Sequence, residues 1–264
     1  MEARASRSTV DRPRPTGVSG CPEDLVTLHN DADDFESDPV AESARSVHSV
    51  VQAHQLRPHA MDIGLFGGSF NPPHVAHLIV AEIARDQLGM DEVWWIPNAT
   101  PPHKSHDELA TVEHRLAMTR RATADNAAFR VCDIEVQRSG VSYTVETVRA
   151  LQEQYPDTGF GLLLGSDSLD HFGEWHRPGE IADRVPLVVY KRPGVIDEVP
   201  EPRFANRVRF VSAPVMEVSG TEIRSRRRAG RSIRYLVPEA VRTYIEDNNL
   251  YRVPRPEESE KERK

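Results

Sequence analysis

Short apolar runs that alternate with helical segments constrain the fold of this chain more than any other feature of its sequence. The runs at Phe160–Leu164 and Pro186–Tyr190 are almost uninterrupted, as is typical of parallel strands that are covered on both faces. Four further runs are predicted as strands: Asp62–Phe66, Val93–Ile96, Phe129–Val131 and Arg207–Val211. The alternation predicts an α/β fold with a Rossmann-like, doubly wound parallel sheet.

The segments between these strands have helical patterns with recognisable ends. The predicted helices are Val75–Leu88, which Gly89 ends, and Val112–Ala124, Thr144–Gln154, Gly220–Ala229 and Pro238–Asp247. The sequence lacks the GxGxxG fingerprint that dinucleotide-binding Rossmann domains carry after their first strand. The chain is therefore expected to bind its ligand with other residues at the carboxyl ends of the strands.

Residues 1–60 differ in composition from the rest of the chain. They are rich in Ser, Pro, Asp and Arg, and Glu23–Glu42 contains eight acidic residues and no Lys or Arg. Because this segment has little apolar surface to bury, folding could not offset the loss of conformational entropy. We therefore expect disorder over residues 1–60. One domain is expected over 61–252 and a charged tail over 253–264. Because Met61 directly precedes the first strand, two hypotheses stay open: translation starts at Met61, or residues 1–60 are a regulatory tail.

Charge and hydropathy exclude several classes of partner. The net charge is −8, which argues against a general nucleic-acid-binding protein. Six arginines between Arg224 and Arg234 are interpreted as a solvated helix face beside an anionic site. No apolar run approaches the length of about 18 residues that a membrane-spanning helix needs. These features predict a cytoplasmic protein without a membrane or nucleic-acid partner, and they leave a homo-oligomer open.

The stretch from Gly64 to His77 has the composition of a phosphate site. Gly67 and Gly68 follow the first apolar run and are expected to form a glycine turn, at which backbone N–H groups approach an anion closely. His74 and His77 are three positions apart, so both imidazoles project from one side of the next helix. Two other interpretations are a strand–helix turn with helix-capping histidines and a metal-binding histidine pair.

Polar residues also follow two later strands. Asp167, after the Phe160–Leu164 strand, is expected either to hold ribose hydroxyls or to cap the next helix. After the last strand, Ser219 or Thr221 can cap a helix whose first turn carries Arg224. Hydroxyls, N–H groups and a guanidinium in one place suit the charge of a triphosphate.

These stretches resemble the signatures of the nucleotidyltransferase superfamily. Gly67–His77 is similar to Gly-Gly-(Ser/Thr)-Phe-(Asp/Asn)-Pro-x-His-x-Gly-His, with Ala76 at the usual glycine. Val218–Arg224 is similar to Ile-Ser-x-Thr-x-Ile-Arg, with Val218 at the isoleucine. Over residues 61–252 the chain resembles the bacterial nicotinate-nucleotide adenylyltransferases, through further segments that include Ile96–Lys104, Ser142–Thr144, Gly165–Asp167, Trp175 and Lys191–Gly194.

This resemblance implies a reaction in NAD biosynthesis: ATP and nicotinic acid mononucleotide give nicotinic acid adenine dinucleotide and pyrophosphate, with Mg²⁺ accompanying ATP. It implies no protein ligand for a metal. Its implied catalytic residues are His74, His77 and Arg224. Its implied ATP-binding residues are Gly67, Gly68, Ser69, Phe70, Asp167, Ser219 and Thr221. Its implied mononucleotide-binding residues are Lys104, Tyr143, Thr144 and Trp175, with Trp175 stacked on the pyridine ring.

Several alternatives stay open at this point. A sister transferase, such as a phosphopantetheine adenylyltransferase or a cytidylyltransferase, would share both signatures. A nucleotide-binding protein of the same fold without turnover is a second alternative. Trp175 is alternatively a core or interface aromatic, and the Lys104 loop a proline-stiffened surface loop. The preference for the acid or the amide form of the mononucleotide is left open.

Overall fold

The sheet of this protein is parallel and has six strands within the residues that the structure describes. These residues, in a computed structural model, are 61–99, 109–138, 141–190, 199–214 and 216–252. The strands are β1 Ile63–Gly68, β2 Glu92–Pro97, β3 Phe129–Val131, β4 Phe160–Gly165, β5 Leu187–Tyr190 and β6 Val208–Val211. They lie in the order β3-β2-β1-β4-β5-β6, and each neighbouring pair is parallel. The doubly wound α/β fold is confirmed.

Eight α-helices connect these strands or follow them within the described residues. They are α1 Val75–Leu88, α2 Val112–Thr123, α3 Ile134–Gln137, α4 Thr144–Gln154, α5 Ser166–Asp170, α6 Pro178–Arg184, α7 Gly220–Arg228 and α8 Glu239–Asp247. Two 3₁₀ turns cover Phe172–Glu174 and Pro202–Arg207. Gly89 ends α1 in the left-handed conformation, with φ of +65°, as predicted. None of these helices is long and apolar enough to span a bilayer.

The first strand continues two residues beyond its predicted end. Gly67 pairs with Ile96 and Gly68 with Pro97, so both glycines belong to β1 and not to the expected glycine turn. The chain turns later: Phe70 has a positive φ of 43°, and the Asn71–Pro72 peptide bond is cis. The prediction of a glycine turn was therefore wrong, because pairing with β2 holds these residues extended.

Sequence periodicity missed the three short helices α3, α5 and α6. Each has seven residues or fewer, which is too short for a helical repeat of apolar positions to be recognised. Short as they are, these helices follow β3, β4 and the 3₁₀ turn at Phe172–Glu174. Of the three, α3 and α5 begin at the carboxyl ends of β3 and β4.

Both faces of the sheet are covered by apolar side chains. Leu162 and Leu164 of β4 pack in one buried cluster, whereas Leu163 between them packs in a second cluster on the other face. This two-sided burial explains the uninterrupted apolar run of β4. A third cluster joins α2, α7 and α8, and includes Met118, Ile223 and Val241.

The central strands β1 and β4 mark the point where the order of the strands reverses. Ligands of open α/β sheets bind in the crevice outside the carboxyl ends of the strands at such a point. Three predictions lie outside the described residues. They are the disorder over residues 1–60, the charged tail over 253–264 and the loop with Lys104.

Candidate active site

The segment after β1 turns sharply and places a phenylalanine in the core. The ring of Phe70 is 2% exposed and packs against Phe66, His77 and Trp95, at centroid distances of 5.6, 5.3 and 5.1 Å. Gly68 permits this packing, because a Cβ there would lie only 3.1 Å from the Phe70 ring. The contribution of Phe70 to a nucleotide site is therefore confined to its backbone.

Asn71 links this turn to three distant parts of the chain. Its Oδ1 accepts hydrogen bonds from the Tyr251 hydroxyl at 2.7 Å and from the backbone N–H of Ala110 at 3.1 Å. Its main-chain carbonyl accepts from Nη1 of Arg224 at 3.0 Å. Asn71 is 4% exposed, so these bonds form away from water, where an unsatisfied partner would be costly.

His74 and His77 form a stacked pair at the start of α1. Their ring centroids are 3.6 Å apart, with an interplanar angle of 23°. His74 is the N-cap of α1, and its backbone N–H donates to Nδ1 of His77 at 3.2 Å. Because Nδ1 accepts this bond, the proton of a neutral His77 is assigned to Nε2, which is then a donor. The helix-capping interpretation is thus correct, and it is compatible with a role in phosphate binding.

The metal-site interpretation of this histidine pair gains no support from the fold. Among the described residues, no group of three or more His, Cys, Asp or Glu side chains could hold a metal ion. The pair instead lies at a helix N-terminus, whose partial positive charge favours an anion.

Arg115 fixes the two central loops of the site, and the sequence analysis did not single it out. Its guanidinium donates to the carbonyl oxygens of Ser69 at 3.0 Å, Asn98 at 2.7 Å and Ala99 at 2.9 Å. Its Nε donates to the Ala110 carbonyl at 3.2 Å. The residue is 2% exposed, and burial lowers the pKa of its guanidinium from the usual value. Arg115 therefore ties the segments after β1 and β2 to the start of α2.

The second signature packs directly against the first. Ser219 is the N-cap of α7, and its hydroxyl accepts from the backbone N–H of Glu222 at 3.2 Å. Thr221 Oγ1 accepts from Nη2 of Arg224 at 3.3 Å. A Cβ at Gly220 would lie 2.9 Å from the Asn71 carbonyl oxygen, so this close approach requires glycine. Of the two capping candidates, the structure selects Ser219.

Asp167 lies in the first turn of α5, directly after β4. The N-cap of this helix is Gly165, so Asp167 does not occupy the capping position that was one of its two interpretations. Its side chain is exposed at the carboxyl end of the central strand. The ribose-binding interpretation stays a prediction that is compatible with this exposed position.

Among the described candidate mononucleotide residues, Tyr143 contacts His176, which is the residue next to Trp175. Tyr143 is the N-cap of α4, is 38% exposed, and its ring lies 4.4 Å from that of His176 at an angle of 36°. Thr144 begins α4. Trp175 is partly buried against the core and lies 5.4 Å from the Phe172 ring, so its interpretation as a core aromatic is correct in part. Lys104 lies outside the described residues.

The chain is similar to proteins of a known family. Residues 65–226 match the family model described as cytidylyltransferase-like. A protein of Salinibacter ruber, named a probable nicotinate-nucleotide adenylyltransferase, is 73% identical over 192 residues, which are 73% of this chain and 98% of that protein. A protein of Exiguobacterium sibiricum with the same name is 46% identical over 191 residues, or 72% of this chain and 99% of that protein.

The fold has counterparts among solved structures. The nicotinic acid mononucleotide adenylyltransferase of Plasmodium falciparum, in complex with NaAD, superposes with a TM-score of 0.61. The match covers 72% of this chain and 96% of that one. Sequence identity is 19%, so this likeness concerns the fold.

Proposed function

The chain belongs to the nicotinate-nucleotide adenylyltransferase family, and from this premise we propose that it transfers the adenylyl group of ATP to nicotinic acid mononucleotide. The products are nicotinic acid adenine dinucleotide and pyrophosphate, and the reaction serves NAD biosynthesis. The observation that supports this best is the meeting of the two signatures, where Arg224 donates to the Asn71 carbonyl at 3.0 Å beside the first turn of α1. A guanidinium, two imidazoles and two helix N-termini at one sheet edge suit a polyphosphate.

The proposed reaction is an in-line displacement at the α-phosphorus of ATP. A phosphate oxygen of the mononucleotide forms the new P–O bond. The bond from the α-phosphorus to the bridging oxygen breaks, and its electron pair leaves with pyrophosphate. The attacking oxygen is already ionised at neutral pH, so the step needs no general base. Positioning and charge stabilisation are the tasks left to the protein.

His74 and His77 are proposed to stabilise charge on the phosphates as hydrogen-bond donors. The bond from the His74 N–H to Nδ1 assigns the His77 proton to Nε2, the tautomer that a donor role requires. The stack of the two rings restricts both to one orientation. A donor that is already in place loses little freedom when charge develops on the phosphate.

Arg224, Ser219 and Thr221 are proposed to bind the part of ATP that leaves as pyrophosphate. Arg224 is 8% exposed and is oriented by its bonds to Asn71 and Thr221. A guanidinium can donate to several acceptors at once, so these bonds are compatible with a phosphate contact. Gly67, Gly68, Ser69 and the Phe70 backbone line the same edge, and Asp167 is proposed to bind the ribose.

Magnesium is proposed to enter this site as part of the ATP substrate. Mg²⁺ commonly binds through substrate phosphates together with few protein ligands. When bound, it would neutralise charge on the leaving pyrophosphate.

The mononucleotide is proposed to bind at the corner formed by Tyr143, Thr144 and Trp175, with Lys104 contacting a phosphate or carboxylate group. Trp175 is held from one side by Phe172 and is proposed to stack on the pyridine ring. Tyr143 and His176 form the neighbouring wall.

Pyrophosphate release from ATP and Mg²⁺ tests this proposal, with nicotinic acid mononucleotide and nicotinamide mononucleotide as separate acceptors. Faster release with the acid form is the expected result. Equal rates would retain the reaction and contradict the acid preference. No pyrophosphate release with either acceptor, but release with phosphopantetheine, would favour the sister transferase. ATP binding without release for any acceptor would favour the non-catalytic alternative.

A further inference from the structure

A buried carboxylate lies beside the proposed mononucleotide corner, and the mechanism above does not use it. Glu135 is 7% exposed and belongs to α3, the four-residue helix that follows β3. We propose that Glu135 is a positioning residue that fixes the segment Ser142–Thr144 against the end of β2, and thereby sets affinity for the mononucleotide. This inference rests on the proposed function, because it names a residue that acts on that substrate through others.

The contacts of Glu135 lead to both sides of the corner. The Thr147 hydroxyl, one turn into α4, donates to Oε1 of Glu135 at 2.7 Å. The Ser142 side chain also hydrogen bonds to this carboxylate. Ser142 Oγ in turn accepts from the backbone N–H of Ala99 at 3.2 Å. The carboxylate thus connects the loop after β2 to the residue just before Tyr143.

The position of Ser142 makes this connection relevant to substrate binding. The next two residues, Tyr143 and Thr144, are the N-cap and first residue of α4. Both are proposed above to bind the mononucleotide. On the other side, Ala99 is held by Arg115 through its carbonyl, at 2.9 Å. Without the carboxylate, Ser142 would lose the acceptor that orients its hydroxyl, and its bond with the Ala99 N–H would be less well fixed.

A role in packing alone does not explain a carboxylate at this place. Burial disfavours the charged form of the Glu135 carboxyl and raises its pKa, and the two hydroxyls and the charge of Arg138 only partly oppose that effect. Apolar side chains of similar volume often replace buried charges without loss of stability. Arg138 faces the same cluster and donates to Thr147 Oγ1 at 2.7 Å. The arrangement orients hydroxyl groups, which an apolar side chain could not do.

Steady-state kinetics with each substrate varied in turn tests the inference on the full chain. Glu135→Ala and Ser142→Ala are each expected to raise KM for nicotinic acid mononucleotide about tenfold, the size of effect expected from losing one or two buried hydrogen bonds. KM for ATP should stay within about twofold, because the phosphate residues lie on other elements. The double variant should be no worse than the stronger single variant, since both act in one network. The KM of Glu135→Gln for nicotinic acid mononucleotide should lie between those of wild type and Glu135→Ala, because the amide keeps one acceptor oxygen.

Glu153→Ala is the matched control, since Glu153 is an exposed carboxylate on the same helix as Thr147. It should behave as wild type for both substrates. Equal rises of both KM values, or a fall in kcat alone, would overturn the inference and leave a general structural role for Glu135. If Glu135→Ala does not fold, the Ser142→Ala result decides. Inactive wild type would overturn the proposed function and this inference together, whereas active wild type with unchanged KM values in the variants would overturn this inference alone.

Discussion

Tyr251 donates a hydrogen bond of 2.7 Å to Oδ1 of Asn71, a residue 180 positions earlier in the chain. The donor lies just after α8, and the acceptor lies in the turn that precedes the paired histidines. The end of the domain thus supports the geometry of the first signature. The same oxygen accepts from the Ala110 N–H, so Asn71 joins three segments at one point.

Replacing Tyr251 by phenylalanine removes this bond and keeps the ring. We expect a loss of about 1–2 kcal/mol in the free energy of unfolding, because the buried Asn71 oxygen loses a donor. Urea denaturation measures this change, and kcat/KM should fall with it as the turn loosens. Tyr235→Phe is the control, since Tyr235 is 83% exposed, and it should change neither quantity. An equal effect of both substitutions would contradict the assignment.

The same substitution should alter the response of stability to alkaline pH. Burial raises the pKa of the Tyr251 phenol above its ordinary value of 10.0, so the folded protein resists its ionisation. Its stabilising contribution is present below pH 10.0 and is lost as the pH rises further, because the unfolded chain ionises first. The stability difference between wild type and Tyr251→Phe should therefore shrink above that pH. A difference that is constant across this range would contradict the prediction.

Gly220→Ala should push the segment of the second signature away from that of the first. The new Cβ would lie 2.9 Å from the Asn71 carbonyl oxygen, which is backbone and cannot rotate away. We expect a loss of about 1–3 kcal/mol in unfolding free energy, and a fall of tenfold or more in kcat/KM as Arg224 is displaced. Gly179→Ala is a matched control in a helix, since a Cβ there meets nothing within 4 Å. A Gly220→Ala variant with wild-type activity would show that the close approach is not needed.

Arg115→Met should destabilise the two loops that the Arg115 guanidinium holds. The carbonyl oxygens of Ser69, Asn98 and Ala99 would lose their donor in a buried place, at an expected cost of about 2–4 kcal/mol in unfolding free energy. Arg115→Lys should recover only part of this, because an ammonium cannot match the planar guanidinium. Arg121→Met, an exposed position on the same helix, should be close to neutral. The melting temperature should be highest for Arg121→Met, intermediate for Arg115→Lys and lowest for Arg115→Met. Any other order would contradict the prediction.

His77→Gln should separate the structural and catalytic contributions of the histidine. Glutamine can still accept from the N-cap N–H at this helix position but loses the ring contacts with His74 and Phe70, so the free energy of unfolding should fall by about 1–2 kcal/mol and the protein should stay folded. Loss of the imidazole donor should lower kcat by about 100-fold or more, as removal of one preorganised donor does elsewhere. Turnover and circular dichroism measured together would settle the outcome. Wild-type turnover would remove His77 from the catalytic residues.

The elements with a long periodic pattern could be predicted from the sequence. Helices α1 and α4 have the predicted bounds, and Gly89 ends α1 in the left-handed conformation as expected. The placement of His74 and His77 on one side of the helix start was also predicted from their spacing of three residues, whereas the stacking of their rings was not. Such features depend only on neighbours in the chain.

The features that escaped prediction depend on distant partners. Pairing with β2 extends β1 through Gly67 and Gly68, and nothing within the glycine stretch indicates this. From the sequence alone, Arg115 is predicted to lie on the polar face of an amphipathic helix. The fold instead buries it under two loops. Glu135 lies in a helix too short to show a period, so its burial has no local signal.

The contacts of Arg115 have a consequence for how this family of sequences can vary. Its guanidinium holds Asn98 and Ala99 by their main-chain carbonyls, which every amino acid possesses. A substitution at either position therefore leaves the acceptor of its Arg115 bond in place, and the loop keeps its anchor. Changes in the side chains of this loop are thus separated from the bonds that hold its backbone, because one buried arginine makes those bonds to main-chain atoms.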